Sequence, residues 1–130
     1  MNVNEEFIID LTKKLLTSID TQDWDTYVSL TDQNISCIEP ETSHKIVTGL
    51  DFHKFFFEKS ELISKTTFTS MISDPRVKIF GNTALIIYIR KLVIHDSLGD
   101  KPETREIAET RVWNFSEKSN SWKMVHFHKS

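Results

Sequence analysis

The hydrophobic residues of this 130-residue chain recur with a helical period in the first half and a strand period in the second, and that division constrains the fold more than any single motif. From about residue 4 to residue 20, Phe7, Ile8, Leu11, Leu15, Leu16 and Ile19 share one face of an amphipathic helix. Glu5 and Glu6 occupy its first turn, where the helix dipole favours carboxylates. Asp23 then reads as the cap of a short second helix carrying Trp24, Tyr27 and Val28 on one side. Residues 35 to 39 and 45 to 48 read as short strands. Asp51 opens a third helix, DFHKFFFEK, in which the spacing predicts a shared face for Phe52, Phe55 and Phe56.

From residue 66 the period changes to two, and residues 66 to 73, 76 to 80, 83 to 95, 103 to 116 and 121 to 128 are rich in Val, Ile, Thr and aromatics. Gly81-Asn82, Leu98-Gly99-Asp100 and Lys118 to Asn120 separate these strands as short turns do, which implies an antiparallel meander. Helices followed by strands define an α+β layer fold. The expected arrangement is a curved sheet wrapped around the first helix, leaving a concave pocket. A flat sheet with helices on one face is the alternative. Three glycines and three prolines leave no room for a linker, so residues 1 to 130 are expected to form one domain.

The formal charge of −3 argues against a nucleic-acid partner, which needs clustered cations. No apolar stretch is long enough for a bilayer and charges interrupt the first twenty residues, so neither membrane insertion nor secretion is expected. The single cysteine, Cys37, has no internal partner, which favours a reducing compartment, the cytoplasm.

Strand alternation places Ile86, Tyr88, Arg90 and Leu92 on one face, Ile107, Glu109, Arg111 and Trp113 on the next, and Val125, Phe127 and Lys129 on the last. Each strand thus offers one cation among apolar residues. If that face is concave, the cations converge on a site that attracts a carboxylate, with guanidinium groups able to grip it bidentately. Neutralisation of Arg90 and Arg111 inside the protein by Glu109 or Glu39 is the competing reading, and both can hold together. His126 and His128 share a strand face, but two ligands make no metal site, and neither a metal nor a cofactor is expected. His53 either lines the pocket or is a satisfied structural histidine. No phosphate loop or nucleophile motif is present, so no catalytic residue is assigned. An enzyme of the isomerase or cyclase kind would have to use Glu39, His53, Tyr88 or Glu109 as acid or base.

The strings EPE at 39 to 41, GLDFHKFFFE at 49 to 58, YIR at 88 to 90, ETRVW at 109 to 113 and VHFHKS at 125 to 130 together resemble the association, or hub, domain of calcium/calmodulin-dependent protein kinase II. The resemblance runs from the first helix to the last residue. It implies a cone of the nuclear transport factor 2 type, dimers that combine into stacked rings, and an arginine-lined pocket for small carboxylates. In the kinases the ring gathers catalytic domains. Carried across by motif, the pocket positions are Arg90, Arg111 and His53, beside Tyr88 and Glu109. The third arginine of the family is Lys129 here, a point charge in place of a fork. The chain starts at Met1 and carries no kinase motif, so it is expected to be an excised hub or a free-standing relative that phosphorylates nothing by itself. A small polyketide-cyclase-like or steroid-isomerase-like enzyme using the same pocket is the alternative. The aromatic DFHKFFFE and VHFH segments are the expected contact surfaces between copies.

Overall fold

The computed structural model describes residues 3–60, 66–96 and 101–130, leaving aside the side chains of residues 59 and 60. The Leu98-Gly99-Asp100 turn therefore lies outside the described residues.

Helix α1 spans Glu5–Asp20. Asn4 caps it, its side chain accepting from the Phe7 amide at 2.9 Å, with Glu5 and Glu6 in the first turn. Ile8, Thr12, Leu15 and Leu16 form its buried stripe, while Phe7 sits at the margin with its ring edge-on to Trp122 at 6.4 Å. Thr12 is tolerated in the core because its hydroxyl donates to the Ile8 carbonyl at 2.9 Å and accepts from the Trp113 indole at 3.1 Å. Helix α2, Trp24–Ser29, has the expected cap: Asp23 accepts from the Thr26 amide at 3.2 Å and its hydroxyl at 2.6 Å. Helix α3 spans Asp51–Ser60. Its inward residues are His53 and Phe57, four apart, whereas Phe55 and Phe56 are 57% and 37% exposed. The predicted Phe52, Phe55 and Phe56 face is thus not the core face. Phe57 packs instead on Trp24 and Tyr27, each with ring centroids at 5.0 Å.

Six strands form one curved, unclosed sheet in the order β2-β1-β6-β5-β4-β3. They are β1 Thr31–Ile38, β2 Val47–Thr48, β3 Thr66–Phe80, β4 Thr83–Asp96, β5 Glu103–Ser116 and β6 Ser121–Lys129. The last four make the antiparallel meander; β1 joins it through a parallel pairing with β6. That pairing is invisible to local pattern because its partners are some 90 residues apart, as Ser36 and His126 are. β1 also begins earlier than the polar run Asp32-Gln33-Asn34 suggests, since Thr31 already aligns with Met124.

The two segments expected at 66 to 73 and 76 to 80 are one strand, bent at Asp74-Pro75 where the register shifts. Asp74 takes the left-handed conformation, φ 51°, and the inward parity switches from Phe68, Ser70 and Ile72 to Val77 and Ile79. β3 lies at the sheet edge, where the donor missing at Pro75 is tolerated. Gly81, φ 58°, supplies the conformation the β3–β4 hairpin needs. A second register shift lies between Val112 and Trp113, opposite Val125 of β6. Trp122 and Met124 point inward before it and Phe127 after it, so Val125 is the extra residue and does not share the face of Phe127 and Lys129 as simple alternation required.

The core is therefore the concave side of the sheet closed by α1: Ile8, Leu15, Leu16, Ile35, Ile86, Trp113 and Met124 are at most 2% exposed. Truncating such a residue, Leu15→Ala for example, costs about 2–5 kcal/mol.

Candidate functional site

A cavity of about 300 Å³ opens between the second half of the sheet, the end of α1 and helix α3, lined among others by Asp20, Tyr27, Glu39, Glu41, His53, Arg90, Arg111, Phe127 and Lys129. The parity argument places its charged wall correctly: Tyr88, Arg90, Glu109 and Arg111 are at most 4% exposed, all on the concave side.

Glu109 is the hub of that wall. One carboxylate oxygen accepts from the Tyr88 phenol at 2.5 Å and from Arg111 Nη2 at 3.0 Å; the other accepts from Arg90 Nη1 at 3.3 Å. Burial would raise its carboxyl, but the charges of Arg111 and then Arg90 prevail and bring it down to about 2. Arg111 donates further to the Tyr88 oxygen at 2.8 Å and from Nη1 to the Met124 sulfur at 3.0 Å, and its guanidinium lies 4.6 Å from the Phe127 ring centroid. Arg90 uses its other nitrogens on Ser70 Oγ and Asp20 Oδ1, both at 2.8 Å. Every nitrogen of both guanidinium groups thus has a protein partner. The internal neutralisation weighed above is realised through Glu109, not Glu39.

The β6 side of the cavity, where Lys129 lies directly across the ladder from Glu109, is built differently. Lys129 Nζ lies 3.3 Å from Glu39 Oε1 and 3.1 Å from Glu41 Oε1, and the Glu41 side chain is 37% exposed. Burial raises the Glu39 carboxyl against the pull of Lys129. His53 projects from α3 with Nδ1 at 2.6 Å from the Tyr27 oxygen and Nε2 at 3.6 Å from Cys37 Sγ, which in turn lies 3.5 Å from Glu39 Oε2. Burial, then the charges of Arg111 and Lys129, lower the His53 imidazole to about 4, so it is neutral at physiological pH. Burial and the neighbouring Glu39 push the Cys37 thiol up to about 12.

All six candidate residues, His53, Tyr88, Arg90, Glu109, Arg111 and Lys129, come together at this cavity, with Tyr88 and Glu109 behind its wall. Sequence reasoning missed Asp20, Tyr27, Cys37 and Glu41. In the sequence Tyr27 reads as part of the apolar face of α2 and a lone Cys37 bears only on disulfides, so only the EPE string carries a signal, for Glu41. His126 and His128 stay away from the cavity; His126 Nδ1 is 2.7 Å from Ser36 Oγ and His128 is exposed. Phe127, named for both the cation-bearing face and a contact surface between copies, takes the first place, buried against Arg111.

A helix held in a curved, unclosed sheet is the nuclear transport factor 2-like fold class, and an NTF2-like protein from Cytophaga hutchinsonii superposes with a TM-score of 0.74 at 21% identity, covering 100% of this chain and 98% of that one. Within that class the chain belongs to the calcium/calmodulin dependent protein kinase II association domain family, whose model matches residues 4–130. The S. rosetta CaMKII hub has 31% identity and a TM-score of 0.81, with 100% of this chain and 98% of that chain covered. The hub homology domain from Chlamydomonas reinhardtii has 31% identity and a TM-score of 0.83, covering 95% and 94%. Among whole kinases, the type II subunit delta of Oryctolagus cuniculus is 34% identical over 131 residues, 100% of this chain and 24% of that protein. The type II alpha chain of Drosophila melanogaster is 36% identical over 124 residues, 95% of this chain and 23% of that protein. The chain thus spans about a quarter of the length of these curated relatives.

Proposed function

We propose that this chain is a self-association scaffold, residues 1–130 acting as one unit, whose copies pair and whose pairs combine into stacked rings. The observation that supports it is the outer face of the sheet. Leu85, Ile87 and Ile89 of β4 point away from the buried side, and across the ladder they meet Val112, Thr110 and Ala108 of β5. An antiparallel sheet with one face in water carries polar residues there, yet at this patch the face is apolar, with Ile87 44% exposed, and Arg76 and Lys78 of β3 and His126 and His128 of β6 flank it. A second copy laid against it removes that surface from water. Light scattering after size exclusion of the untagged chain at micromolar concentration tests this: a dimer or larger assembly is expected, and a monomer overturns it. Native mass then gives the ring size.

The pocket is the finer part of the same reading. A small carboxylate seats at Lys129 by displacing Glu41, the more exposed of its two carboxylate partners, with Arg111 supplying field in place of a bidentate grip. Acid/base chemistry by Glu109 is not favoured, since a carboxyl held near 2 is a weak base. Cys37 is the sole cysteine of the chain and is buried as a free thiol, which supports a reducing compartment such as the cytoplasm. Among the described residues no helix is long and apolar enough to cross a membrane.

A further inference from the structure

Three residues that no single stretch of sequence brings together meet at the cavity beside Phe127 and Lys129. Cys37 comes from β1, Glu39 from the turn that follows it, and His53 from α3; all three are buried, and their ligand atoms lie within 4.8 Å of one another. We propose that Cys37, Glu39 and His53 form a site for one divalent metal ion of the zinc class, with its remaining position open to the cavity.

The distances carry the argument. With metal bonds of about 2.3 Å to sulfur and about 2.0–2.1 Å to nitrogen or oxygen, a tetrahedral ion holds its sulfur about 3.6 Å from each neighbouring ligand atom. Cys37 Sγ is 3.6 Å from His53 Nε2 and 3.5 Å from Glu39 Oε2, hydrogen-bond contacts that already have the sulfur-to-ligand spacing of such an ion, and with all three ligand atoms within 4.8 Å of one another a small side-chain movement of Glu39 or His53 closes the remaining edge. The atoms behind the ligands are arranged to suit. The Tyr27 oxygen lies 2.6 Å from His53 Nδ1 and can accept a hydrogen bond from Nδ1–H, the tautomer that leaves the Nε2 lone pair facing the sulfur. Lys129 engages Glu39 through Oε1, which leaves Oε2 on the Cys37 side.

Glu39 and His53 line the cavity and Cys37 is fully buried behind them, so an ion among the three keeps one side open. On binding, the metal–sulfur bond replaces the Cys37 S–H bond and the proton leaves to solvent through the cavity; the resulting thiolate, imidazole and carboxylate set selects zinc or cobalt over magnesium or calcium, which need oxygen ligands.

Cobalt(II) added to the untagged, chelator-stripped full chain tests the site. One equivalent per chain is expected, with a thiolate-to-cobalt charge-transfer band in the near ultraviolet that zinc(II) abolishes by displacement. Cys37→Ser should remove the band. Tyr27→Phe should keep it and weaken cobalt binding about 10–100-fold, since it loses the group that orients His53. His126→Ala and His128→Ala should change neither. Absence of the band in the wild-type chain, or cobalt affinity unchanged in Cys37→Ser, overturns the proposal, as does loss of the equivalent in the His126 or His128 variants. Should Cys37→Ser fail to fold, His53→Asn and Glu39→Gln serve, and unchanged affinity in both is equally decisive. Assembly state is read separately by light scattering, so failure of the metal site leaves the scaffold reading untouched.

Discussion

Arg90 and Asp20 stand 70 residues apart in the chain and 2.8 Å apart in the fold, an ion pair in which both side chains are almost completely buried. The pair pins the last residue of α1 to β4 and shares its guanidinium with Glu109, so the helix end and the cavity wall are one electrostatic unit. Breaking a buried pair costs more than the pair contributes, because a charge is stranded without water.

Asp20→Asn is expected to destabilise the chain by about 1–3 kcal/mol, less than loss of an isolated buried pair because Arg90 keeps Glu109. Urea denaturation at neutral pH measures it, and an unchanged midpoint contradicts it.

Glu109 should set an acid limit on stability. Its folded carboxyl titrates near 2 against an ordinary value of 4.5. Between these pH values the unfolded chain takes up a proton that the folded chain refuses. The contribution, about 3 kcal/mol at about 1.4 kcal/mol per tenfold, is therefore complete above pH 4.5 and lost as pH falls toward 2. Glu109→Gln should lower stability at pH 7 and flatten that acid limb, seen in denaturant midpoints across the range.

Ile87→Lys places a charge in the middle of the apolar outer face without touching the concave core. The expected result is a folded chain with native circular dichroism whose scattering mass drops to that of a monomer. An unchanged mass would move the contact surface elsewhere, with the exposed Phe55 and Phe56 side of α3 the next to substitute.

For the pocket, a small carboxylate such as acetate should raise the melting temperature, with a stabilisation of about 2.7 kcal/mol at a hundred times its dissociation constant. Lys129→Ala should abolish the shift, and Glu41→Ala should enlarge it by removing the internal competitor. A shift unaffected by either substitution contradicts the assigned seat.

The element types were largely legible in advance, because helices and half-buried strands each imprint their own period on a sequence. The inward set Ile86, Tyr88, Arg90 and Leu92 followed from alternation alone and is buried as expected. Alternation failed at Asp74-Pro75 and at Val125, where one added residue reverses the facing of everything beyond it. A bulge is a property of pairing with a neighbouring strand, and neither strand alone encodes it.

By itself, then, the sequence determined the order of helices and strands, the sharing of a face by Arg90, Glu109 and Arg111 with apolar neighbours, and, through its motifs, the family. Only the tertiary structure decided who neutralises whom. Glu109 takes both arginines and Lys129 takes Glu39 and Glu41 because the sheet's register sets which charges approach within hydrogen-bond reach. Only the fold, likewise, carries His53 from α3 to Cys37 and Glu39, joining residues whose separation in the chain is set by an intervening loop rather than by any local periodicity.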